Sequence, residues 1–164
     1  MRTVTSRHRR EVDSSVAAMD HRFSRLGTEA DDLWPSELWF PMRLDASPDA
    51  GGSGGHGPVR YHCSAREPES VTFTFDSVFG STRWVGWHRF HVQATTEGAL
   101  VEHLIELKLP TWQYLQWKVL VEPLHDALIE NLFEKAARLS PTPNWSGWVR
   151  LLRRLRPAIR GAQS

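Results

Sequence analysis

A single cysteine, Cys63, stands in this chain of 164 residues, which excludes an internal disulfide framework. Long apolar runs are also missing. No early segment has the greasy stretch of a secretion signal, and none approaches the roughly 20 residues of a membrane-spanning helix. Charge of one sign is not in excess either: 20 basic and 19 acidic side chains leave a formal +1, so no overall field marks a nucleic-acid or general membrane binder. Lysine is scarce, and arginine supplies most of the positive charge. These absences favour a soluble, cytoplasmic protein with one hydrophobic core, for which the length is sufficient.

Glycine, by contrast, is concentrated. In GGSGGHGPVRY (51–61), Gly52, Gly54 and Gly57 fall at the GxGxxG spacing of dinucleotide-binding loops. That loop grips a pyrophosphate only between a buried parallel strand and a helix N-terminus. Here Pro58 follows, without an N–H to offer, and then a pattern of period two; Pro58 and Val59 also stand where a phosphate loop needs lysine and a hydroxyl. Nucleotide binding is therefore not expected. The segment reads as a flexible reversal at a sheet edge, with His56 exposed.

Elsewhere the pattern is regular. The first dozen residues carry a weak strand signal, and their arginines suggest a solvent-facing or frayed segment. Asp13, Ser14 and Ser15 offer N-caps to a short helix in which Val16, Met19, Phe23 and Leu26 recur before Gly27. A loop with two prolines leads into an edge strand around 38–45. After the glycines, Val59, Tyr61, Cys63 and Ala65 alternate with polar residues, as do Val71, Phe73 and Phe75. A longer hairpin follows, with Trp84, Gly86, His88, Phe90 and Val92 on one face and Val101, His103, Ile105, Leu107 and Leu109 returning after TTEG. The expected cover is a helix ending near Leu139, with leucines 120, 124, 128 and 132 in its apolar stripe and a kink or a fresh start at Pro123.

A strand, a small helix, a glycine-rich loop, antiparallel strands and a long C-terminal helix, in this order, resemble the SRPBCC superfamily, which includes START domains, the birch-pollen-allergen family and polyketide cyclases. The local matches are GGSGGHGPVRY, VTFTF, GWHRFHV and PLHDALIENLFEKAA, and the likeness spans roughly residues 10 to 139. The resemblance implies an α+β helix-grip fold over 1–139: a curved antiparallel sheet wrapped around a long C-terminal helix, with a hydrophobic cavity between them. It also implies a bound hydrophobic compound, such as a lipid, sterol or polyketide. Residues 140–164 form a basic Trp- and Arg-rich tail, read either as an extra docked helix or as a contact to a membrane surface or protein partner.

Alternation supplies candidate cavity residues: Tyr61, Cys63, Phe73, Phe75, Trp84, Phe90 and Ile105 from strands, with Trp117, Leu124, His125 and Leu128 from the helix. His88 and His103 sit on the same greasy faces. If the hairpin turns at TTEG, Phe90 faces His103 and His88 faces Ile105, so the two histidines lie diagonally on neighbouring strands. They are the candidate catalytic acid and base, with buried, hydrogen-bonded structural histidines as the alternative. Cys63 reads as an inert hydrophobe, and His125 either faces the cavity or caps the kink. No cofactor is expected. No metal is expected either, because no tight spacing forces His88, His103 and His125 onto one point about 2 Å away. Three functions are open: binding of a hydrophobic small molecule, a cyclase- or dehydratase-like enzyme using the histidines, and an interaction module with a filled cavity.

Overall fold

The period-two segments pair into one antiparallel sheet of seven strands in the computed structural model, which describes residues 1–155. Its elements are β1 (Arg2–Val12), α1 (Val16–Phe23), β2 (Arg43–Leu44), β3 (Ser53–His56), β4 (Val59–Glu67), β5 (Ser70–Val78), β6 (Val85–Ala94), β7 (Ala99–Leu109), α2 (Thr111–Gln116), α3 (Glu122–Ala136) and α4 (Gly147–Arg154). The strand order is β1-β7-β6-β5-β4-β3-β2. The α2–α3 rod lies against the concave face, and the core fills the space between.

The N-terminal segment is not frayed. All eleven residues of β1 pair with β7, from Arg2 opposite Leu109 to Val12 opposite Ala99. Its inner face hides the pattern because Ser6, His8 and Arg10 stand between buried Val4 and Val12. Those polar residues are matched by the polar edge of α3: Arg10 pairs with Glu130 at 2.6 Å and His8 with Asp126 at 3.1 Å. Where an edge strand around 38–45 was expected, only Arg43 and Leu44 pair. Pro35 and Pro41 interrupt the segment before them, which instead buries Trp34 and Trp39.

The glycine segment also differs from a plain loop, since Ser53–His56 forms β3 between β2 and β4. Small residues are required there: a Cβ on Gly54 would stand 1.9 Å from the Arg43 carbonyl oxygen. The reversal itself falls at Gly57, whose φ of 49° suits glycine. Register shifts in β4 then break the alternation, so that beyond Cys63 it is Arg66 that pairs opposite Val71, and Ala65 is exposed. Arg66 turns to Asp20 at 2.8 Å and Asp49 at 2.9 Å.

Pro123 is accommodated by a wide helical turn over Trp117–Val121 and sits in the first turn of α3, and the Val119 carbonyl one turn back accepts from the Trp148 indole N–H at 2.8 Å. The rod ends at Ala136, three residues before Leu139. Arg22 from α1 caps that end, donating to the carbonyls of Ala136 (3.2 Å) and Lys135 (3.0 Å). The following chain is tied back by buried Asn131, whose Oδ1 accepts from the indole N–H groups of Trp39 (3.0 Å) and Trp145 (3.1 Å). Its Nδ2 donates to the Thr142 carbonyl at 2.8 Å. Ser146 caps α4, and Val149 of that helix is buried in the core, so this part of the tail is docked. The rest of the basic tail, 156–164, lies outside the described residues.

Candidate functional site

A cavity of about 180 Å³ remains between the inner sheet face and the helical rod. Its strand wall includes Phe75, Trp84, His88, Phe90, His103 and Ile105, and its helix wall includes Trp117, Leu124, His125 and Leu128. Three of the sequence candidates are elsewhere. Tyr61 and Phe73 are fully buried beside His88, packed ring to ring at 5.1 Å each, and do not line the space. Cys63 is half-buried past the cavity, its thiol directed to the Ala65 carbonyl at 3.6 Å, and burial raises its pKa.

Other walls come from parts of the chain whose pattern carried no cavity signal. Trp34, Trp39 and Phe40 close one side from the irregular segment before β2, and Leu152 and Arg153 close another from α4. The Arg153 guanidinium lies over the rings of Trp145 (3.8 Å) and Trp39 (4.5 Å) and donates to the Leu38 carbonyl. His56 is not exposed as expected: it lines the cavity, packs its ring at a tilt against Trp34 with centroids 4.7 Å apart, and is hydrogen-bonded through Nδ1 to the Tyr61 hydroxyl at 3.0 Å. These contributions join residues far apart in sequence, so no local period could reveal them.

The β6–β7 register places His88 opposite Ile105 and Phe90 opposite His103. The diagonal brings His88 Nδ1 within 3.3 Å of His103 Nε2. Burial, reinforced by neighbouring histidines, pushes both pKa values well below the ordinary histidine value, so both rings are neutral at pH 7. Two neutral imidazoles sharing one hydrogen bond leave a fixed remainder. Of the two outer nitrogens, His88 Nε2 and His103 Nδ1, one carries a proton and the other a bare lone pair. Both are buried without a hydrogen-bond partner.

A third imidazole arrives from α3. The His125 ring lies 5.0 Å from that of His103 and 5.9 Å from the Trp117 ring. Its Nδ1 is 3.2 Å from Asp126 Oδ1, and His8 Nε2 from β1 meets the same oxygen at 3.1 Å. Partial burial works against the Asp126 charge, but hydrogen bonds from His125 and His8 outweigh it and hold the carboxyl well below the usual carboxylate range. A carboxylate only accepts, so His125 donates from Nδ1 and its Nε2 is the bare nitrogen. That Nε2 is buried and unpartnered, as are the indole nitrogens of Trp84 and Trp117. Burial also lowers the His125 pKa, against the raising effect of Asp126.

His8, His125 and Asp126 each offer a ligating atom within 4.8 Å of the others, the one such group among the described residues. Two imidazoles and a carboxylate are a donor set that zinc accepts. The trio is not the one weighed from sequence, since His88 and His103 stand apart from it, and its facing atoms satisfy one another by hydrogen bonds.

No protein-family model matches the chain, and no curated protein does. Solved structures do match in fold. Norcoclaurine synthase from Thalictrum flavum, solved as a point mutant in complex with a transition-state analogue, aligns with a TM-score of 0.62 at 16% identity, over 83% of this chain and 94% of that one. CalU16 from Micromonospora echinospora aligns over 99% of this chain and 89% of its own, with a TM-score of 0.56 and 16% identity. A protein from Nitrosospira multiformis gives 0.61 at 13% identity, covering 90% and 99% of the two chains.

Proposed function

From the helix-grip fold that these structures share with this chain, and from the cavity it encloses, we propose that the protein binds a small hydrophobic molecule between sheet and rod. The observation that carries this reading is a mainly apolar cavity between sheet and rod, six of whose wall residues hold an unpartnered buried nitrogen: Trp84, His88, His103, Trp117, His125 and Arg153. Each unmet donor or acceptor costs about 1–3 kcal/mol, and because these nitrogens are themselves buried, the surface offered to a ligand is almost wholly apolar. Size narrows the class. A cavity of about 180 Å³ is close to the engineered cavities, on the order of 150 Å³, that hold benzene. That size suits a one-ring hydrophobic compound.

Trp84 and Trp117 make the test direct. Tryptophan fluorescence should respond saturably to cyclohexanone, phenol and acetophenone, and should not respond to cholesterol or palmitate. Absence of saturation with every one-ring compound would remove the reading. Acid–base chemistry is the second reading, and the 3.3 Å contact between His88 and His103 favours it, because those rings present a donor and an acceptor in a fixed relation.

A further inference from the structure

We propose that His8, His125 and Asp126 form a zinc site that ties the free edge of the sheet to the helical rod. The site stands whether or not the cavity holds a ligand, and the two meet only at His125, whose ring also lines the cavity.

The ligand atoms come from two elements that the fold brings together. His8 belongs to β1, the edge strand of the sheet, while His125 and Asp126 are neighbours on α3. Asp126 Oδ1 lies 3.1 Å from His8 Nε2 and 3.2 Å from His125 Nδ1, and all three atoms lie within 4.8 Å of one another. Hydrogen bonds to an ionised carboxylate are usually about 2.7–2.9 Å long, and both contacts exceed that. Tetrahedral zinc at about 2.0–2.1 Å from each ligand atom sets ligand pairs roughly 3.3 Å apart, so two edges of the triangle are close to zinc's dimensions. The rings agree with this. Two imidazoles sharing one zinc have centroids roughly 5–6 Å apart. Those of His8 and His125 are 5.5 Å apart and meet edge to face.

The surroundings also suit a metal. A metal-bound imidazole usually turns its other nitrogen toward a carboxylate, which fixes the ring. His8 Nδ1 stands 4.0 Å from Glu130 Oε1, and Arg10 holds Glu130 from the same strand at 2.6 Å. Ser6 Oγ, two residues back on β1, is 3.2 Å from His8 Nε2. Asp126 is half-exposed, which gives the ion a path from solvent and leaves a water as the fourth ligand.

Zinc on this trio has a consequence at the cavity. Without metal, Asp126 keeps the His125 proton on Nδ1. Zinc on Nδ1 moves that proton to Nε2, the nitrogen buried at the cavity wall. Loading therefore reverses the His125 tautomer, and zinc caught by an exposed histidine elsewhere leaves it unchanged.

The test is calorimetric titration of the untagged full chain, stripped by chelator, with zinc chloride. One zinc should bind per chain with micromolar or tighter affinity, and excess zinc should raise the thermal midpoint. His8→Ala and Asp126→Asn should each weaken binding by about 100-fold or more, and Glu130→Gln by about 10-fold. His62→Ala, which breaks the exposed pair of His62 and Asp76, should leave binding unchanged. If far-ultraviolet dichroism shows His8→Ala unfolded, Asp126→Asn and Glu130→Gln carry the test, because both keep the side-chain shape. Long-range ¹H–¹⁵N correlation should find the His125 proton on Nδ1 without zinc and on Nε2 with it. Cobalt(II) in place of zinc should give the strong visible absorption of a four-coordinate ion. Binding only at millimolar zinc, binding undiminished in Asp126→Asn, an unchanged His125 tautomer or a pale six-coordinate cobalt spectrum would each overturn the site, leaving a hydrogen-bonded cluster that joins β1 to α3.

Discussion

Asn131 shows how much one buried polar side chain can organise. It is 3% exposed, its oxygen receives two indole N–H groups and its amide nitrogen reaches Glu134 and the Thr142 carbonyl, so the segment before β2, the rod and the tail are joined at one point. Replacing it by leucine keeps the approximate volume and leaves those partners unmet. Asn131→Leu should lose about 2–4 kcal/mol in urea unfolding, on the scale of the two indole N–H groups of Trp39 and Trp145 left unsatisfied, whereas a loss below about 1 kcal/mol would mean that water reaches them. The cavity histidines impose a pH dependence with a definite sign. Burial places the folded-state pKa values of His88, His103 and His125 below the unfolded value, so acidification adds protons to the unfolded chain first. Their contribution is complete above about pH 6.5 and is lost as pH falls below it. Thermal midpoints should therefore drop between pH 6.5 and 5, above the range where Asp126 and Glu134 with their lowered pKa values begin to titrate. His103→Leu should flatten that drop.

At the scale of elements, α4 is a wall of the cavity as well as a helix on the surface. Leu152 and Arg153 line the space, Val149 anchors the helix in the core, and the Trp148 indole N–H donates to the Val119 carbonyl at 2.8 Å. The guanidinium of Arg153 between Trp39 and Trp145 closes this side with stacking and cation–π contacts, each worth about 0.5–2 kcal/mol. Removing residues 141–164 should open the cavity while leaving the sheet and rod intact. Stopped-flow fluorescence with cyclohexanone should then show faster dissociation, by about tenfold or more, with far-ultraviolet dichroism little changed. Unchanged kinetics would place the ligand's route elsewhere. The bulged β4 acts at the same scale. Its change of phase carries Arg66 to α1, where Asp20 holds it, and takes the strand beyond Cys63 out of the cavity wall.

For the whole molecule, the fold was legible wherever one local period governed one face. The alternation on β6 and β7 and the turn between them were enough to put His88 and His103 on a diagonal, because antiparallel register follows from turn position. The helical stripe and Pro123 were enough to place a rod with a break. The sheet's far edge was not legible, since the inner face of β1 is polar and looks apolar-facing only once α3 supplies Asp126 and Glu130. The cavity's outer walls were hidden for the same reason: Trp34 and Trp39 belong to an irregular segment, and Arg153 to a helix whose own pattern spoke of a surface. Asp126 beside His125 was visible as a dipeptide, but its partner His8 lies 118 residues away.

What the sequence determined by itself was the architecture: one glycine-punctuated antiparallel sheet, a long covering helix and a greasy face bearing histidines. These follow from period, turn chemistry and steric rules that act over a few residues. Only the tertiary structure decided which nitrogens are left unmet, which histidine a carboxylate orients, and how small the enclosed space is. Each of these depends on distances between groups remote in the chain, and hydrogen bonding and burial respond to those distances within a few ångströms.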